Sequence, residues 1–271
     1  MYLLSKMSSI SLLIAFILLP SCLSDTWSLL YSFNVSTIAI VSSSSDGLSI
    51  VAGYYGGPLA YSLNGGSSWT QSTVSSHDWY GVASRGDGQV VIAQVYNNGG
   101  LYMSTNYGAD WSPIQGAPNL DWNGISASDD GSTWIATADN PNAIYKSTDG
   151  GFTWNQVNSN VVLSGYQAYW SGVSCNSDCS VVYGSNAGKT LYKSTDSAVT
   201  WTTLSAPSYI WASIFTSSDA NRVAAVAYGN GIYLSTDAGN SFTATNAQDD
   251  KWEFVTANSD CGIVFAGSRS W

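Results

Sequence analysis

Apolar and polar residues alternate over short stretches along most of this chain. Stretches such as "QVVIAQV" (89–95) and "RVAAVAY" (222–228) are bounded by clusters of Ser, Asp, Asn and Gly. Short apolar runs between turn residues are typical of β-strands, because an amphipathic helix needs a longer run with a period near 3.6 residues. We therefore predict an all-β protein built from many short strands.

The strands belong to a repeat. A nine-residue segment, which we call the repeat turn, carries Ser at its second position, Asp or Asn at its fourth and an aromatic residue at its end. It occurs five times, as "YSLNGGSSW" 61–69, "MSTNYGADW" 103–111, "KSTDGGFTW" 146–154, "KSTDSAVTW" 193–201 and "LSTDAGNSF" 234–242. Five tryptophans recur at nearly the same step, each opening a short apolar strand: Trp79, Trp122, Trp170, Trp211 and Trp252. Four short strands per roughly 42 residues are typical of β-propeller blades.

The two ends of the chain carry parts of a further blade. Residues 26–33, "TWSLLYSF", resemble the last strand of a blade, and residues 251–268 supply the first two strands of one. Joining them gives a composite blade and a ring of six, although this blade lacks its third strand and its repeat turn. If the chain is truncated, a ring of seven or more blades is the alternative.

The N-terminus has the layout of an export signal. Lys6 precedes the apolar run Ile10–Pro20, and small residues follow it. This pattern predicts a signal peptide over residues 1–24 and one propeller domain over residues 25–271. The predicted location is therefore secreted. An organelle lumen is an alternative, as is a lipid anchor through Cys22, which ends a loose lipobox.

Composition excludes several classes of partner. The formal net charge is -10, so we do not expect the chain to bind nucleic acid or an anionic membrane surface. No later apolar segment is long enough to span a bilayer. We expect no nucleic acid, no membrane span and a monomer.

Cysteine and histidine usage argues against a metal site. Cys175 and Cys179 are close enough in sequence to form a disulfide between adjacent strands in an oxidising compartment, which leaves Cys261 unpaired. His77 is the only histidine, and no Gly-x-Ser-x-Gly nucleophile elbow occurs. We therefore expect no metal, no cofactor and no Ser-His-Asp triad.

The pattern Ser-x-Asp-x-Gly-x-x-Trp resembles the Asp box of the bacterial neuraminidase repeat, found in sialidases and related propellers, and the resemblance covers residues 26–271. It implies a structural turn in which the acidic or amide side chain accepts backbone hydrogen bonds. The acceptors would be Asn64, Asn106, Asp149, Asp196 and Asp237. Because two copies dispense with the carboxylate, the repeat turn is interpreted as structural.

The propeller resemblance also locates a candidate site. Loops that enter the first strand of each blade share a face with the loops that join strands two and three. The candidate ligand-binding residues on that face are Trp79, Trp122, Trp170, Trp211, Trp252, Asp78, Asp121 and Asp249. Aromatic faces beside carboxylates suit sugars. The alternative is that the five tryptophans only pack between blades.

Enzyme activity is a secondary hypothesis. Sialidases bind the substrate carboxylate with three arginines and use a Tyr/Glu nucleophile pair. This chain has only three arginines in its whole sequence and a single glutamate, Glu253, so few residues are available for these roles. The xyloglucanase-type relatives imply Asp78 and Asp121 as acid and base, but those enzymes pair two propellers. Propellers of the photosystem II assembly factor type are also similar. The preferred prediction is a secreted, non-catalytic propeller that binds an extracellular glycan or protein, with a glycan favoured.

Overall fold

The computed structural model describes residues 39–139, 142–157, 169–188, 190–247 and 250–268, together with two strands at 13–18 and 26–31. The described residues form strands and turns, with no helix among them. The strands assemble into antiparallel sheets arranged as the blades of a β-propeller, which confirms the predicted fold class.

Three blades are separate four-stranded sheets whose strands follow chain order. The first contains β11 (Trp122–Ala127), β12 (Trp134–Ala138), β13 (Ala143–Ser147) and β14 (Asn155–Val157). The second contains β15 (Trp170–Cys175), β16 (Val182–Asn186), β17 (Thr190–Ser194) and β18 (Thr202–Thr203). The third contains β19 (Trp211–Thr216), β20 (Val223–Ala227), β21 (Gly231–Ser235) and β22 (Thr243–Ala244).

Two further blades join into one larger sheet. One comprises β3 (Ala39–Ser43), β4 (Ile50–Gly57), β5 (Leu59–Ser62) and β6 (Thr70–Gln71). Its neighbour comprises β7 (His77–Ser84), β8 (Val91–Val95), β9 (Leu101–Ser104) and β10 (Ser112–Pro113). The end of β4 pairs with the start of β7 through Tyr55 opposite Asp78 and Gly57 opposite His77. This pairing holds the end of β4 against the start of β7 at the boundary between the two blades.

The composite blade draws on both ends of the chain. It has the strand order β2 (Thr26–Tyr31), β1 (Leu13–Leu18), β24 (Ile263–Ser268) and β23 (Trp252–Ala257). The missing third strand is therefore β1, which pairs with β24 from Leu13 opposite Ser268 to Leu18 opposite Ile263. The same apolar run carries the predicted export signal, which stays a prediction, and Cys22 lies outside the described residues.

The inner strands form a closed circle. Among the described residues β3, β7, β11, β15, β19 and β23 each pack against the next, and β23 packs against β3. The turns that follow these strands are joined by backbone hydrogen bonds in the same order. The bonds run from the N–H of Ser45 to Gly86, then to Asp129, Ser177, Ser218 and Ser259, and back to the carbonyl of Ser45. The alternative of seven or more blades in a longer protein stays a prediction.

The hydrophobic core lies between neighbouring blades. In one cluster, Ile92, Leu101 and Met103 from one blade pack against Trp122 and Trp134 of the next. Equivalent clusters fill the other described blade interfaces. Each blade therefore depends on its neighbours for burial of its apolar surface.

The repeat turns have one hydrogen-bonding scheme. In the third copy the hydroxyl of Ser147 donates to Asp149 Oδ1 at 2.8 Å and accepts from the N–H of Gly151 at 2.9 Å. Thr153 donates to Asp149 twice, from its backbone N–H at 2.9 Å and from its hydroxyl at 2.6 Å. The indole of Trp154 then donates to the carbonyl of Gly151 at 2.9 Å. Both carboxylate oxygens of Asp149 thus accept hydrogen bonds from within the turn.

The amide copies keep the same scheme. The Oδ1 atom of Asn64 accepts from the N–H of Ser68 at 2.9 Å, and that of Asn106 accepts from the N–H of Asp110 at 2.9 Å. An amide oxygen therefore replaces the carboxylate oxygen at these two turns.

Acid should weaken the fold through the carboxylate copies. Hydrogen bonds from the hydroxyls of Thr153, Thr200 and Ser241 lower the pKa of Asp149, Asp196 and Asp237 from 3.8 to about 2. A carboxyl whose pKa is lower in the folded state stabilises the fold while it is ionised. This stability is complete above pH 3.8 and is lost as the pH falls towards 2. We expect chemical denaturation to show that fall, and Asp149→Asn to flatten it; an unchanged slope in the variant would contradict the assignment.

A left-handed residue offers a test of the turn geometry. Ala238, partly exposed, has φ 58°, where the first and third repeat turns have Gly65 and Gly150. A non-glycine residue in this region is strained by about 1–2 kcal/mol. Ala238→Gly should therefore raise the free energy of unfolding by about 0.5–1 kcal/mol after the entropic cost of glycine. Ala244→Gly, at an exposed position of β22, is the control and should lower it.

The predicted disulfide is present. Cys175 at the end of β15 is bonded to Cys179 in the turn that follows, and Cys261 is a buried free thiol. Burial raises the pKa of Cys261 to about 12, so this thiol is protonated and unreactive at neutral pH.

Candidate functional site at the channel mouth

The propeller has two different faces. Each repeat turn hydrogen-bonds to the turn between strands one and two of its own blade, for example from the N–H of Gly65 to Leu48 and from that of Ala238 to Asn221. Both kinds of turn therefore share one face, which we call the turn face. The inner strands begin at the opposite face, which we call the mouth face.

The mouth face is organised by a recurring backbone contact. In four blades, a residue of the loop between strands two and three donates its N–H to the carbonyl of the residue immediately before the tryptophan of the inner strand. The donors and acceptors are Tyr96 to Asp78, Asp139 to Asp121, Ala187 to Tyr169 and Tyr228 to Ile210. The predicted sharing of one face by these two kinds of loop is therefore observed.

The five tryptophans do not reach the mouth surface. Their side chains are between 0% and 3% exposed: Trp79, Trp122, Trp170, Trp211 and Trp252. Four of them pack edge-on against a tyrosine of strand three, at centroid distances of 5.2–5.4 Å in the pairs with Tyr102, Tyr145, Tyr192 and Tyr233. This corrects their assignment as ligand-binding side chains, and the alternative of packing between blades describes their position.

A β-bulge explains why the tryptophans turn inward. In each of the five strands the register shifts just after the tryptophan, as between Trp122 and Gly124. A bulge inserts an extra residue and re-aims the side chains around it. The inserted residues all line the channel: Tyr80, Asn123, Ser171, Ala212 and Glu253. The sequence analysis missed these positions, although a glycine two residues after Trp79, Trp122 and Trp170 signals an irregular strand.

Some of the inserted residues join neighbouring blades. Asn123 donates from Nδ2 to the carbonyl of Trp170 at 3.0 Å, and Ser171 donates from Oγ to the carbonyl of Trp211 at 2.7 Å. The mouth end of the channel is therefore held together by side chains that follow the buried tryptophans.

The channel along the propeller axis is a cavity of about 420 Å³. Tyr80, Tyr169 and Glu253 line it near the mouth, and the circle of six turns surrounds its other end. There the carboxylate of Asp129 accepts a hydrogen bond from Ser218 Oγ at 3.1 Å, and burial raises the pKa of Asp129. Asp129 therefore places a carboxylate at the turn-face end of the cavity.

Three tyrosines form a row beside the cavity. The rings of Tyr80 and Tyr96 stack at 5.2 Å with an interplanar angle of 26°, and Tyr55 lies 6.3 Å from Tyr96. Burial is the main cause of the raised pKa of Tyr80, and the charges of Tyr169 and Glu253 add to it. The sequence analysis named none of these tyrosines as a candidate, because the residue type at their positions differs from blade to blade. The row offers aromatic surface where the tryptophans do not.

Carboxylates lie around the tyrosine row. Burial, followed by the neighbouring carboxylate of Asp78, raises the pKa of Tyr55, and Asp121 accepts from the N–H of Asn98 at 3.0 Å. Burial, together with the charge of Asp121, raises the pKa of Asp139. The structure thus brings Asp121 close to Asp139 and Asp78 close to Tyr55, while the predicted Asp249 lies outside the described residues.

The described residues contain neither a metal-binding cluster nor a membrane-spanning helix. No cluster of three or more His, Cys, Asp or Glu side chains in this part of the chain has the arrangement needed to hold a metal ion. Likewise, no described helix has the length and apolarity of a membrane-spanning segment.

Comparisons with known proteins agree on the fold. No protein-family model and no curated protein matches the sequence. Among solved structures, a TolB protein from Agrobacterium tumefaciens is 12% identical, with a TM-score of 0.70 over 97% of this chain and 100% of that one. YCF48 from Cyanidioschyzon merolae is 16% identical, with a TM-score of 0.56 over 89% and 84%.

An ancestral GH74 enzyme is also 16% identical, with a TM-score of 0.58 over 79% of this chain. The present chain spans only 32% of the length of that enzyme. Identities this low relate the chain to these β-propellers by fold alone.

Proposed function

We propose that this chain is a secreted, non-catalytic β-propeller that binds a glycan or protein ligand at the mouth of its channel. The tyrosine row of Tyr55, Tyr96 and Tyr80 is the observation that carries the proposal. It combines aromatic surface, neighbouring carboxylates and an adjoining cavity, which is the usual composition of a binding site. The repeat turns, which we propose are Asp boxes, lie on the other face and serve the fold.

Proteins of similar fold bind peptide or protein partners. YCF48 has been solved bound to a D1 peptide, and another propeller neighbour comes from a nidogen/laminin complex. The preference for a glycan was based on the five tryptophans, whose burial removes them from the surface. Both ligand classes therefore enter the test on equal terms.

Substitutions in the tyrosine row test the proposal. Tyr80→Ala and Tyr96→Ala should each weaken ligand binding at least tenfold, or about 1.4 kcal/mol, because each removes one ring of the stack. A glycan array and an array of blocked peptides supply the ligands, and titration calorimetry measures the affinities. Tyr107→Ala, on the turn face and 37% exposed, is the matched control. Equal affinities in all three variants would contradict binding at the mouth.

A second candidate function is glycoside hydrolysis. The proximity of Asp121 and Asp139 favours it, because a carboxyl with a raised pKa beside a second carboxyl can act as a general acid. Asp139 and the predicted residues Asp78 and Asp121 are therefore the residues to replace. Reducing-sugar release that Asp121→Asn, Asp78→Asn or Asp139→Asn abolishes would support hydrolysis, and no release from a broad polysaccharide panel would end it.

A further inference from the structure

We infer that the central channel receives a positively charged side chain, arginine or lysine, from a partner peptide. This inference deepens the proposed function and rests on it, since the peptide would cross the tyrosine row to reach the channel. It identifies the ligand by chemistry: a flexible apolar stem that ends in a cation.

The walls of the channel suit an apolar stem. One position of each inner strand places an aliphatic residue in the lining: Val41, Val82, Ile125, Val173, Ile214 and Val255. Several lining serines are already used between blades. Ser126 Oγ accepts from the N–H of Cys175, and Ser174 Oγ accepts from the N–H of Thr216, both at 3.0 Å. A sugar, whose hydroxyls all need hydrogen-bond partners, would find few of them here, whereas the apolar stem of a lysine or arginine needs none.

The charge of the channel is negative. Its described lining contains the carboxylates of Glu253 near the mouth and Asp129 near the turn face, and contains no Lys, Arg or His. Asp78, Asp121 and Asp139 add negative charge around the mouth. Carboxylates between low-dielectric walls concentrate the field and attract a cation.

Three basic side chains bond to groups at or near the turn face. Arg85 pairs with Asp87 at 2.5 Å, and Arg222 donates to the carbonyl of Asp260 at 3.1 Å, both in turns of the turn face. Lys193 donates to the carbonyl of Ala238 at 3.1 Å. Lys251 precedes β23 on the mouth face, outside the channel lining.

Aromatic rings at the entrance favour the same ligand. Tyr80 lines the channel and stacks on Tyr96, so a tyrosine ring, which binds cations through its faces, borders the point where a side chain would enter. Cations bind to such faces with the guanidinium group preferred over the ammonium. Glu253 is close enough to influence the hydroxyl of Tyr80, so ring and carboxylate act on one entering group.

Matched peptides test the inference. We would titrate the full chain with blocked pentapeptides Gly-Ser-X-Ser-Gly, with X as arginine, lysine or citrulline, and with neutral cello- and chito-oligosaccharides. Citrulline keeps the shape of arginine and removes its charge. We expect the arginine and lysine peptides to bind at least tenfold more tightly than the citrulline peptide, with affinity falling as salt rises.

Variants locate the effect in the channel. Glu253→Gln should reduce arginine-peptide affinity at least tenfold, whereas Glu253→Asp should retain part of it, and thermal unfolding checks that both are folded. Asp149→Asn on the turn face makes the same change of charge and should leave affinity unchanged, since two repeat turns already use Asn at that position.

The outcomes separate the inference from the proposed function. Equal binding of arginine and citrulline peptides, or equal loss in Glu253→Gln and Asp149→Asn, would overturn the cation site. Oligosaccharide binding that depends on Tyr80 but not on Glu253 would overturn it while leaving mouth binding intact. Failure of every peptide and oligosaccharide to bind would overturn both.

Discussion

Replacing Trp122 with Ala is expected to lower the free energy of unfolding by about 3–5 kcal/mol, the range for large aromatic residues removed from a core. Its side chain is 0% exposed and contacts the rings of Tyr145 and Trp154 at centroid distances of 5.2 and 5.9 Å. The neighbouring blade closes over the same site, so the surroundings can collapse only partly. Denaturation with guanidinium measures the change.

Phe152→Ala is the control for this experiment. Phe152 lies in a repeat turn and is 61% exposed, so its removal should change stability by less than about 0.5 kcal/mol. If Trp122→Ala were as stable as the unmodified chain and lost only ligand binding, the tryptophans would have to be ligand contacts and the packing described above would be incorrect.

Adding a methyl group to Gly124 should cost about 1–3 kcal/mol, as overpacking of a close contact does. A Cβ at this position would approach backbone atoms of the adjacent blade, the N atom of Val173 at 2.9 Å and the Cα of Gly172 at 3.0 Å. Backbone atoms held in a sheet cannot move aside without shifting the whole blade. Thermal and chemical unfolding of Gly124→Ala measure the cost.

Gly81 provides the matched comparison. It occupies the same place in the preceding inner strand, but the three atoms nearest to an added Cβ all belong to the side chain of Gln94. Gln94 is 0% exposed, but a side chain shifts more readily than the backbone of a sheet, so Gly81→Ala should cost less than Gly124→Ala. Equal costs would mean that the two blade interfaces are equally rigid.

The architecture could be predicted because the repeat carries redundant information. The same turn residues and strand lengths recur in each blade. The serine of the repeat turn, such as Ser147, also keeps its position in sequence relative to the tryptophan that follows. A single copy would have been ambiguous. Repetition at a constant step leaves few other folds that satisfy all five copies.

The orientation of the tryptophans could not be predicted in the same way. A tryptophan that opens a strand fits both an exposed mouth and a buried interface. The β-bulge that decides between them depends on one extra residue, such as Asn123, and on the pairing of the neighbouring strand. Alternation of apolar and polar residues indicates only which face of a strand is buried on average. It therefore did not identify Tyr80 and Glu253 as residues that line the channel.

The third strand of the composite blade was missed for a different reason. Leu13–Leu18 is a short apolar run without a turn motif, and such a run has the same composition in a strand as in an export signal. Pairing with β24 is a long-range contact, which leaves no trace in the local pattern.

The circle of backbone bonds that joins Ser45 to Ser259 has a consequence for how the molecule comes apart. An open stack of repeats has end units that fray first, and damage there spreads inward. A circle has no end units, so every blade is equally protected by two neighbours. Loss of any one blade removes support from both sides, and unfolding should therefore proceed as a single cooperative event instead of by peeling from the termini.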